Sequence, residues 1–475
     1  MIHVEGAIPV KKNCFPQFAF HSQNLGSTLS TINGPLYSIS QSLYSRRNIF
    51  FMFRRLLVGL MRKSIFRALQ HRDFVIVEGA GWLAGAGVWF YRIGLAVLAW
   101  ELTKSGFWLG VIAMAEAGPG IFISPIAGAL ADRHDRLLMA RFVQAAMMAV
   151  TGVLAFLTLG GLINIWLLLI FALLHGFCAG FWTPVRMSLA PNLVPERDLS
   201  AAIATHSILF NLGRTVGPAL AAPILAISGV GAVFALSAVA NLIFSVALFW
   251  VRVVNPDRKA EKGGSMRSHL VEGLKYATGH PVIKYLFLNM VFASLLLRAY
   301  MELLPGMSET LFGHDPKAGV PILVSAAGMG AMVASLFVGS LRRSNQILNS
   351  YFIFVFGTLI SLTFFVLTEN FWFAVFCMIL LSISQVGVNI AGQVTVQNTV
   401  RGDLRGRVMS LWGLLNRSGP AFGALVIGGL SGLWGFAWPI LAGVAVSSIV
   451  ALFVFSKKED IKSAASGKEH NVASR

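Results

Sequence analysis

Long apolar runs with almost no charged residues limit most strongly what this chain can fold into. The run 138–174 holds one charged residue and the run 351–367 holds none. A helix crosses the hydrocarbon of a bilayer with about 20 apolar residues, and only helices or closed barrels satisfy their backbone there. The runs lack the alternation of barrel strands. Because 56% of the residues are hydrophobic and only 12% are charged, against roughly 25% charged in soluble domains, the chain is predicted to be an all-α membrane protein.

About twelve such segments follow one another, and we predict about twelve transmembrane helices. The polar stretch 253–280 is predicted to be a cytoplasmic linker between two six-helix bundles, residues 73–252 and 281–455. Within this linker, the segment HLVEGLKYA has apolar residues at the spacing of a short helix. The polar residues 456–475 are predicted to be a cytoplasmic tail. The predicted spans are 74–102, 107–130, 138–160, 163–185, 200–227, 230–252, 282–304, 317–340, 350–368, 370–396, 407–430 and 434–455.

The net charge of +18 is distributed over alternate loops. Such placement predicts orientation in a membrane rather than nucleic-acid binding, because basic loops stay in the cytoplasm. Both termini are therefore expected in the cytoplasm of a bacterial-type inner membrane. The basic side holds Arg133, Arg136, Arg197, Arg258, Lys259, Lys262, Arg267, Lys275, Arg342, Arg343, Arg401 and Arg405, and the other side holds little beyond Lys104, Glu309, Asp315, Lys317 and Glu369.

The three cysteines do not form the pattern of a disulfide framework. Cys178 and Cys377 lie in predicted spans, where a free cysteine is usually a small buried residue. The spacing of cysteine and histidine does not predict a metal site, and the chain has no Walker motif for ATP binding. We therefore predict no metal and no cofactor.

Residues 1–72 differ from the rest of the chain. They are rich in serine and asparagine up to about residue 45 and then strongly basic. One interpretation is a disordered cytoplasmic arm whose basic part lies on anionic lipid. The other is that translation begins at Met52 or Met61. Both interpretations stay open at this point.

The two halves of the chain contain a repeated pattern. LVPERDLSAA followed by NLGRTVGPAL in the first half is similar to TVRGDLRGRV followed by NRSGPAFGAL in the second. Leu199 then aligns with Leu404, and Gly217-Pro218 with Gly419-Pro420. A repeat with an even number of spans predicts a pseudo-two-fold axis along the membrane normal, with a cavity between the halves.

The segment GALADRHDR at 128–136 resembles the loop between helices 2 and 3 of the major facilitator superfamily, with Gly128, Asp132, Arg133 and Arg136 at matching positions. Gly213-x-x-x-Gly217-Pro218 resembles the helix-5 motif of antiporters in that superfamily, although Ala221 and Ala222 stand where the motif has glycines. WFYRIGLAVLAWELTKS, FWTPVRMSLAPNLVP and LRGRVMSLWGLLN are most similar to its enterobactin exporter and macrolide efflux branch. The resemblance covers about residues 70–455.

The resemblance implies a cytoplasmic latch centred on Asp132. Its carboxylate is expected to pair with a cation of a facing helix, with Arg186 as the candidate partner. The alternative is that the loop charges only orient the loop. For Gly213, Gly217, Pro218, Gly419 and Pro420 we expect close helix contact, a kink used in gating, or both.

Ionisable side chains inside spans are costly and usually face a cavity or a partner. Glu116 has no partner nearby in sequence and is the candidate proton carrier, or else a structural carboxylate matched to Arg92 or Arg214. Arg298 and Glu302 have the spacing of an intrahelical pair, with coupling or substrate contact as the alternative. The embedded ionisable residues are Arg92, Glu116, His175, Arg214, Arg298, Glu302 and Arg417.

Two further features of the spans concern the predicted cavity. Gln385, Asn389 and Gln393 follow one another at four-residue spacing and form a polar stripe on one helix face. The resemblance implies that this helix lines the substrate cavity, and hydrogen bonding between helices is the alternative. His175 is alone on an apolar helix and is interpreted as a core or cavity histidine rather than as a ligand.

These features predict a secondary active transporter that exports a drug, a siderophore or a similar small molecule by alternating access. The predicted partners are the substrate, protons and membrane lipid, without nucleic acid, and one monomer is expected to suffice. The first alternative is metabolite uptake or lysolipid movement by the same fold. The second is a polytopic membrane acyltransferase that uses His175, although no aspartate or asparagine lies near that residue in sequence and the GALADRHDR loop has no nucleophile.

Overall fold

A computed structural model describes residues 66–131, 134–189, 193–252, 266–341, 343–402 and 404–463. These residues are almost entirely helical and contain no strand, which confirms the predicted fold class. The predictions for residues 1–65, for Asp132 and Arg133, for most of the linker and for the end of the tail lie outside the described residues.

The first half of the chain, residues 66–252, contains five long helices. A helical turn, Phe66–Ala68, precedes them, and its Ala68 is buried against this half. The described end of the predicted 1–72 extension is therefore packed. The helices are α1 (Arg72–Thr103), α2 (Gly106–Ala131), α3 (Arg136–Leu159), α4 (Ile165–Leu189) and α5 (Leu199–Ala247), with a 3₁₀ turn at Glu196–Asp198 before α5.

The second half, residues 266–463, begins with the helix α6, which lies where a short linker helix was predicted. The next span is interrupted by a π-helical turn, Ala293–Leu297, between α7 and α8. The helices are α6 (Met266–Gly279), α7 (Pro281–Phe292), α8 (Tyr300–Thr310), α9 (Pro316–Ser340), α10 (Ser344–Leu367), α11 (Phe371–Thr399), α12 (Arg405–Trp434) and α13 (Ala437–Ser456).

Ten helical segments of the described residues are long and apolar enough to cross a membrane. Two further segments have the length of a crossing and also carry charge. Helix α12 has 30 residues, and α5 has 49 residues with a break at Gly229 that divides it in two. Since one crossing needs about 20 residues, the described helices offer a segment of sufficient length at each of the twelve predicted spans.

Gly229 and Gly435 mark equivalent positions in the two halves. Gly229 has φ 74° and ψ −177°, and Gly435, between α12 and α13, has φ 68° and ψ 176°. A side chain at such a positive φ would be strained, so glycine is required for both breaks. The internal repeat predicted from sequence thus extends to a shared backbone conformation.

Helices α2 and α12 bring the two halves into close contact through glycine. A Cβ atom on Gly110 would lie 2.5 Å from the Cα of Leu425, and one on Gly428 would lie 2.2 Å from the carbonyl oxygen of Gly106. Backbones approach this closely only where side chains are absent, as is common between membrane helices. The packing of α2 on α12 therefore depends on these glycines.

One group of polar contacts between the halves lies at the end of the molecule that holds Lys104, which we call the Lys104 end. Glu309 of α8 accepts hydrogen bonds from the indole of Trp100 at 2.7 Å and from Lys104 at 2.5 Å. Lys317 of α9 lies 2.7 Å from Glu101. The described halves are therefore joined at the Lys104 end by two ion pairs from the end of α1.

Candidate functional site

Arg92 lies at the centre of a charged cluster that joins three helices. Its Nε is 3.6 Å from Glu116 Oε2 of α2, and its Nη2 donates to Glu302 Oε1 of α8 at 3.0 Å. The side chain of Arg92 is 38% exposed, whereas those of Glu116 and Glu302 are 15% and 20% exposed. The guanidinium of Arg92 thus contacts two carboxylates, one from each half of the chain.

The expected intrahelical pair of Arg298 and Glu302 does not form in the structure. The π turn lies directly before Arg298, and α8 begins only at Tyr300, so the regular 3.6-residue spacing is broken. Arg298 instead donates to Asn416 Oδ1 at 2.5 Å, while Glu302 contacts Arg92. Each residue therefore has its partner on another helix.

His175 packs beside the charged cluster in the interior of the first half. Its ring stacks on Tyr91 with centroids 3.8 Å apart, and its Nδ1 is 3.9 Å from Glu116 Oε1. Neither His175 Nδ1 nor the Tyr91 hydroxyl has a hydrogen-bond partner among the described residues, although both atoms are buried. The helix α4 thus places an imidazole next to the candidate proton carrier.

Two of the three residues of the polar stripe on α11, Gln385 and Asn389, line a cavity, and the third, Gln393, does not. Gln385 donates to the carbonyl oxygen of Leu297 at 2.8 Å, in the π turn, and Asn389 accepts from the indole of Trp412 at 3.2 Å. Both side chains line a cavity of about 40 Å³, whereas Gln393 is half-buried farther along α11. Gln385 and Asn389 therefore both bond between helices and line a cavity.

Arg417 connects the middle of the two halves. This exposed residue of α12 donates to Thr183 Oγ1 of α4 at 3.1 Å and packs beside Gly120 of α2. The side chain of Arg214, the other arginine predicted in this region, lies outside the described side chains. Among the described side chains, Arg92 and Arg417 are the arginines within predicted spans that bond across the halves.

Arg186, the predicted latch partner, contacts residues that the sequence analysis did not select. It lies 3.4 Å from Glu78 Oε2 of α1, and the Nδ1 of His206 is 3.0 Å from the same oxygen. Asp132 is outside the described residues, so the Asp132–Arg186 latch stays a prediction. Glu78 lies inside the predicted first span. A charged residue in an apolar segment is the sequence feature from which this cluster could have been predicted.

The loop before α3 has a clear structural role for two of its residues. Asp135 caps α3 by accepting from the backbone N–H groups of Leu137 and Leu138 at 2.8 and 3.1 Å. Arg136 donates to the carbonyl oxygen of Ala131 at 3.1 Å, which ties α3 to the end of α2. A Cβ atom on Gly128 would meet nothing within 4 Å.

The motif glycines of α5 and α12 allow close packing. A Cβ atom on Gly217 would lie 3.0 Å from that of Trp89, and one on Gly419 would lie 2.1 Å from Ser294 Oγ in the π turn. A Cβ atom on Gly213 would lie 3.6 Å from Trp82 Nε1, which is ordinary contact. Pro218 and Pro420 lie inside continuous helix, and the described break in α5 is at Gly229.

The transmembrane secretion effector family of the major facilitator superfamily matches residues 63–473 of the chain. The chain is 24% identical to the staphyloferrin A transporter of Staphylococcus aureus over 379 residues, which cover 78% of this chain and 93% of that protein. It is 26% identical to macrolide efflux protein A of Enterococcus faecalis over 315 residues, which cover 64% and 93% of the two chains.

The fold resembles that of a solved bacterial homologue of the human lysosomal transporter Spinster. The TM-score is 0.65 at 15% identity, and the likeness covers 83% of this chain and 98% of that one. The family and the structural neighbours are transporters and not enzymes, which confirms the predicted superfamily and removes the acyltransferase alternative. The chain belongs to the transmembrane secretion effector family of the major facilitator superfamily, as a multi-pass membrane transporter.

Proposed function

We propose that this transporter exports a small molecule by alternating access and takes up protons in exchange. The observation that carries the proposal is Arg92, whose guanidinium holds Glu116 of one half and Glu302 of the other. The Arg92–Glu302 contact joins the halves, so a proton on Glu302 weakens that contact directly. A proton on Glu116 removes an attraction within the first half and so changes how Arg92 is shared with Glu302. Protonation then shifts the balance between two arrangements of the halves, as coupling requires.

The Lys104 end is the side of the closed gate in this proposal. The ion pairs of Glu309 with Lys104 and of Glu101 with Lys317 hold the halves together there. The basic loops at the other end support a cytoplasmic location for that end in an inner membrane. The arrangement described is then the inward-facing one, and Asp132 with Arg186 remains the proposed latch of the outward-facing one.

The direction of transport and the substrate are proposed from the relatives. One is named for a siderophore and one for macrolide efflux, so a siderophore or a macrolide is the first compound to test. Metabolite uptake or lysolipid movement by the same fold is the competing outcome. Each half contributes to one charged cluster, so the working unit is proposed to be a monomer, which size measurement in detergent tests.

The deciding experiment uses purified chain in proteoliposomes with an imposed pH gradient. Radiolabelled staphyloferrin A and a radiolabelled macrolide are the probes, and a dye reports the internal pH. We expect at least one probe to move against the proton flow. Glu116→Gln should abolish the dependence on the gradient, whereas Glu369→Gln, in an exposed loop, should leave it unchanged. If the native chain transports the probes at the same rate with and without the pH gradient, proton coupling is refuted.

A further inference from the structure

A small polar cavity inside the second half has no role in the proposal above. It lies between α7 with its π turn, α10, α11, α12 and α13, and has a volume of about 40 Å³. Its polar lining includes Asn289, Arg298, Tyr351, Asn389, Asn416 and Ser447. A π turn in a helix is costly and is often kept for function. Here the turn brings Arg298 to the cavity wall.

The groups left free toward this cavity are mainly donors. Asn289 Nδ2 donates to the Tyr351 hydroxyl at 2.8 Å, which leaves the hydroxyl hydrogen of Tyr351. Asn389 uses its oxygen to accept from Trp412, which leaves its amide N–H groups. Arg298 has five N–H donors, of which one bonds to Asn416. A ligand here must therefore accept hydrogen bonds.

Two further observations indicate a missing partner. The Ser447 hydroxyl is buried at the cavity and has no hydrogen-bond partner among the described residues. Arg298 forms no salt bridge within 4 Å among the described residues, so Glu302 offsets its charge only from a greater distance. No described residue that lines the cavity is an aspartate or glutamate. A guanidinium without a direct counter-charge is costly in the low dielectric of a membrane protein. The cavity thus carries a positive charge without a carboxylate in its lining, beside an unused hydroxyl.

We propose that this cavity binds a small anionic group, with Arg298 as its counter-charge. The volume fits a single carboxylate or one inorganic anion, since a water molecule needs roughly 10–15 Å³ on the same measure. One source of this anionic group is a carboxylate of the exported compound, and this identification rests on the proposed function. The other source is a free anion such as chloride.

The test uses full-length chain in lipid nanodiscs without any gradient. Trp412 lines the cavity, so its fluorescence reports binding, and Trp412→Phe identifies that signal. Acetate and chloride are titrated separately, with a bulky sulfonate holding the ionic strength constant. Saturation by acetate alone points to the carboxylate of a substrate. Saturation by chloride as well points to a free anion. Both outcomes support the anion site.

Two variants test whether Arg298 is the counter-charge. Arg298→Gln should weaken anion binding about 10- to 100-fold, the loss expected for one charge-assisted hydrogen bond. Asn389→Asp keeps the acceptor for Trp412 and adds a negative charge, so it should cause a similar loss even if the first variant folds poorly. Arg343→Gln, outside the cavity and exposed, should bind as the native chain does.

The proposal is overturned if neither anion saturates the native signal, or if both variants bind with unchanged affinity. Binding is measured without transport, so its outcome is independent of the export experiment. A chain that binds acetate but exports nothing would refute the proposed function alone. A chain that exports but shows no anion-dependent signal would refute the cavity site alone.

Discussion

The guanidinium of Arg92 lies 3.0 Å from Glu302 Oε1, and this pair joins residues that are 210 positions apart in the chain. Arg92 belongs to α1 of the first half and Glu302 to α8 of the second. The same guanidinium also lies 3.6 Å from Glu116. This charged cluster therefore contributes to the contact between the two halves.

A double-mutant cycle should detect the coupling between Arg92 and Glu302. We expect Arg92→Gln and Glu302→Gln each to lower the melting temperature and the double variant to lower it less than additively. The coupling energy should be about 0.5–3 kcal/mol, below the cost of breaking a fully buried pair because Arg92 is 38% exposed. Strictly additive effects in thermal melts of nanodisc samples would show that the pair is not coupled.

Gly110 and Gly118 of α2 offer a matched pair for testing the helix contact. Gly110→Ala places a methyl group against the backbone of Leu425 and should destabilise by about 1–3 kcal/mol. Gly118→Ala meets nothing within 4 Å and should be neutral or stabilising by about 0.5–1 kcal/mol. Thermal melts of the two variants check this, and equal effects would contradict the packing described.

The ion pair of Lys104 and Glu309 should control opening at the Lys104 end. Lys104→Glu places two carboxylates together and should populate wider separations of the halves, while the swap Lys104→Glu with Glu309→Lys should restore the short distance. Double electron–electron resonance between labels at Leu162 and Glu369 measures that distance. These positions lie in the first and second half, on loops of the Lys104 end. A swap that stays as open as the single variant would contradict a specific pair.

Asp198 should make the stability of the chain depend on acid pH. The hydrogen bond from His71 holds the pKa of this carboxyl below its ordinary value of 3.8, and Arg67 and Arg197 add to the effect. Its stabilising contribution is therefore present above the ordinary value and is lost as the pH falls through the lowered pKa. Asp198→Asn should melt earlier than the native chain at pH 6.

That difference should shrink as the pH approaches 3 (about one unit below the ordinary aspartate pKa), because the Asp198 carboxyl of the unfolded native chain takes up a proton below its ordinary pKa and the stabilising contribution is progressively lost. Asp460→Asn serves as the control, since Asp460 is 65% exposed and 3.8 Å from Lys457. Its melting temperature should follow that of the native chain throughout. A constant gap between Asp198→Asn and the native chain from pH 6 to 3 would contradict the role assigned to His71.

The apolar runs were enough to predict the helices. Their bounds agree with the predicted spans to within six residues, because hydrocarbon thickness sets both the length and the composition of a crossing. The repeat was visible as Gly-Pro at matching positions, and the structure extends it to Gly229 and Gly435. HLVEGLKYA was recognised as helical from its periodicity and lies inside α6.

The partners of the embedded charges could not be predicted in the same way. Arg298 and Glu302 are four residues apart, which brings two side chains together only in a regular α-helix. The π turn directly before Arg298 interrupts that regular helix. Glu78 was overlooked although it is a carboxylate in an apolar span. Its contacts with Arg186 and His206 come from three helices, over sequence separations that no periodicity describes.

The sequence by itself determined that this chain crosses a membrane many times, that it consists of two related halves, and which of its spans carry charge. Those properties follow from composition and periodicity, which act along one helix at a time. Only the tertiary structure decided that Arg92 serves Glu116 and Glu302 together and that Arg298 faces a cavity without a carboxylate. Side-chain pairing depends on distances of a few ångströms between helices, and these are set by glycine contacts and by one irregular turn rather than by local pattern.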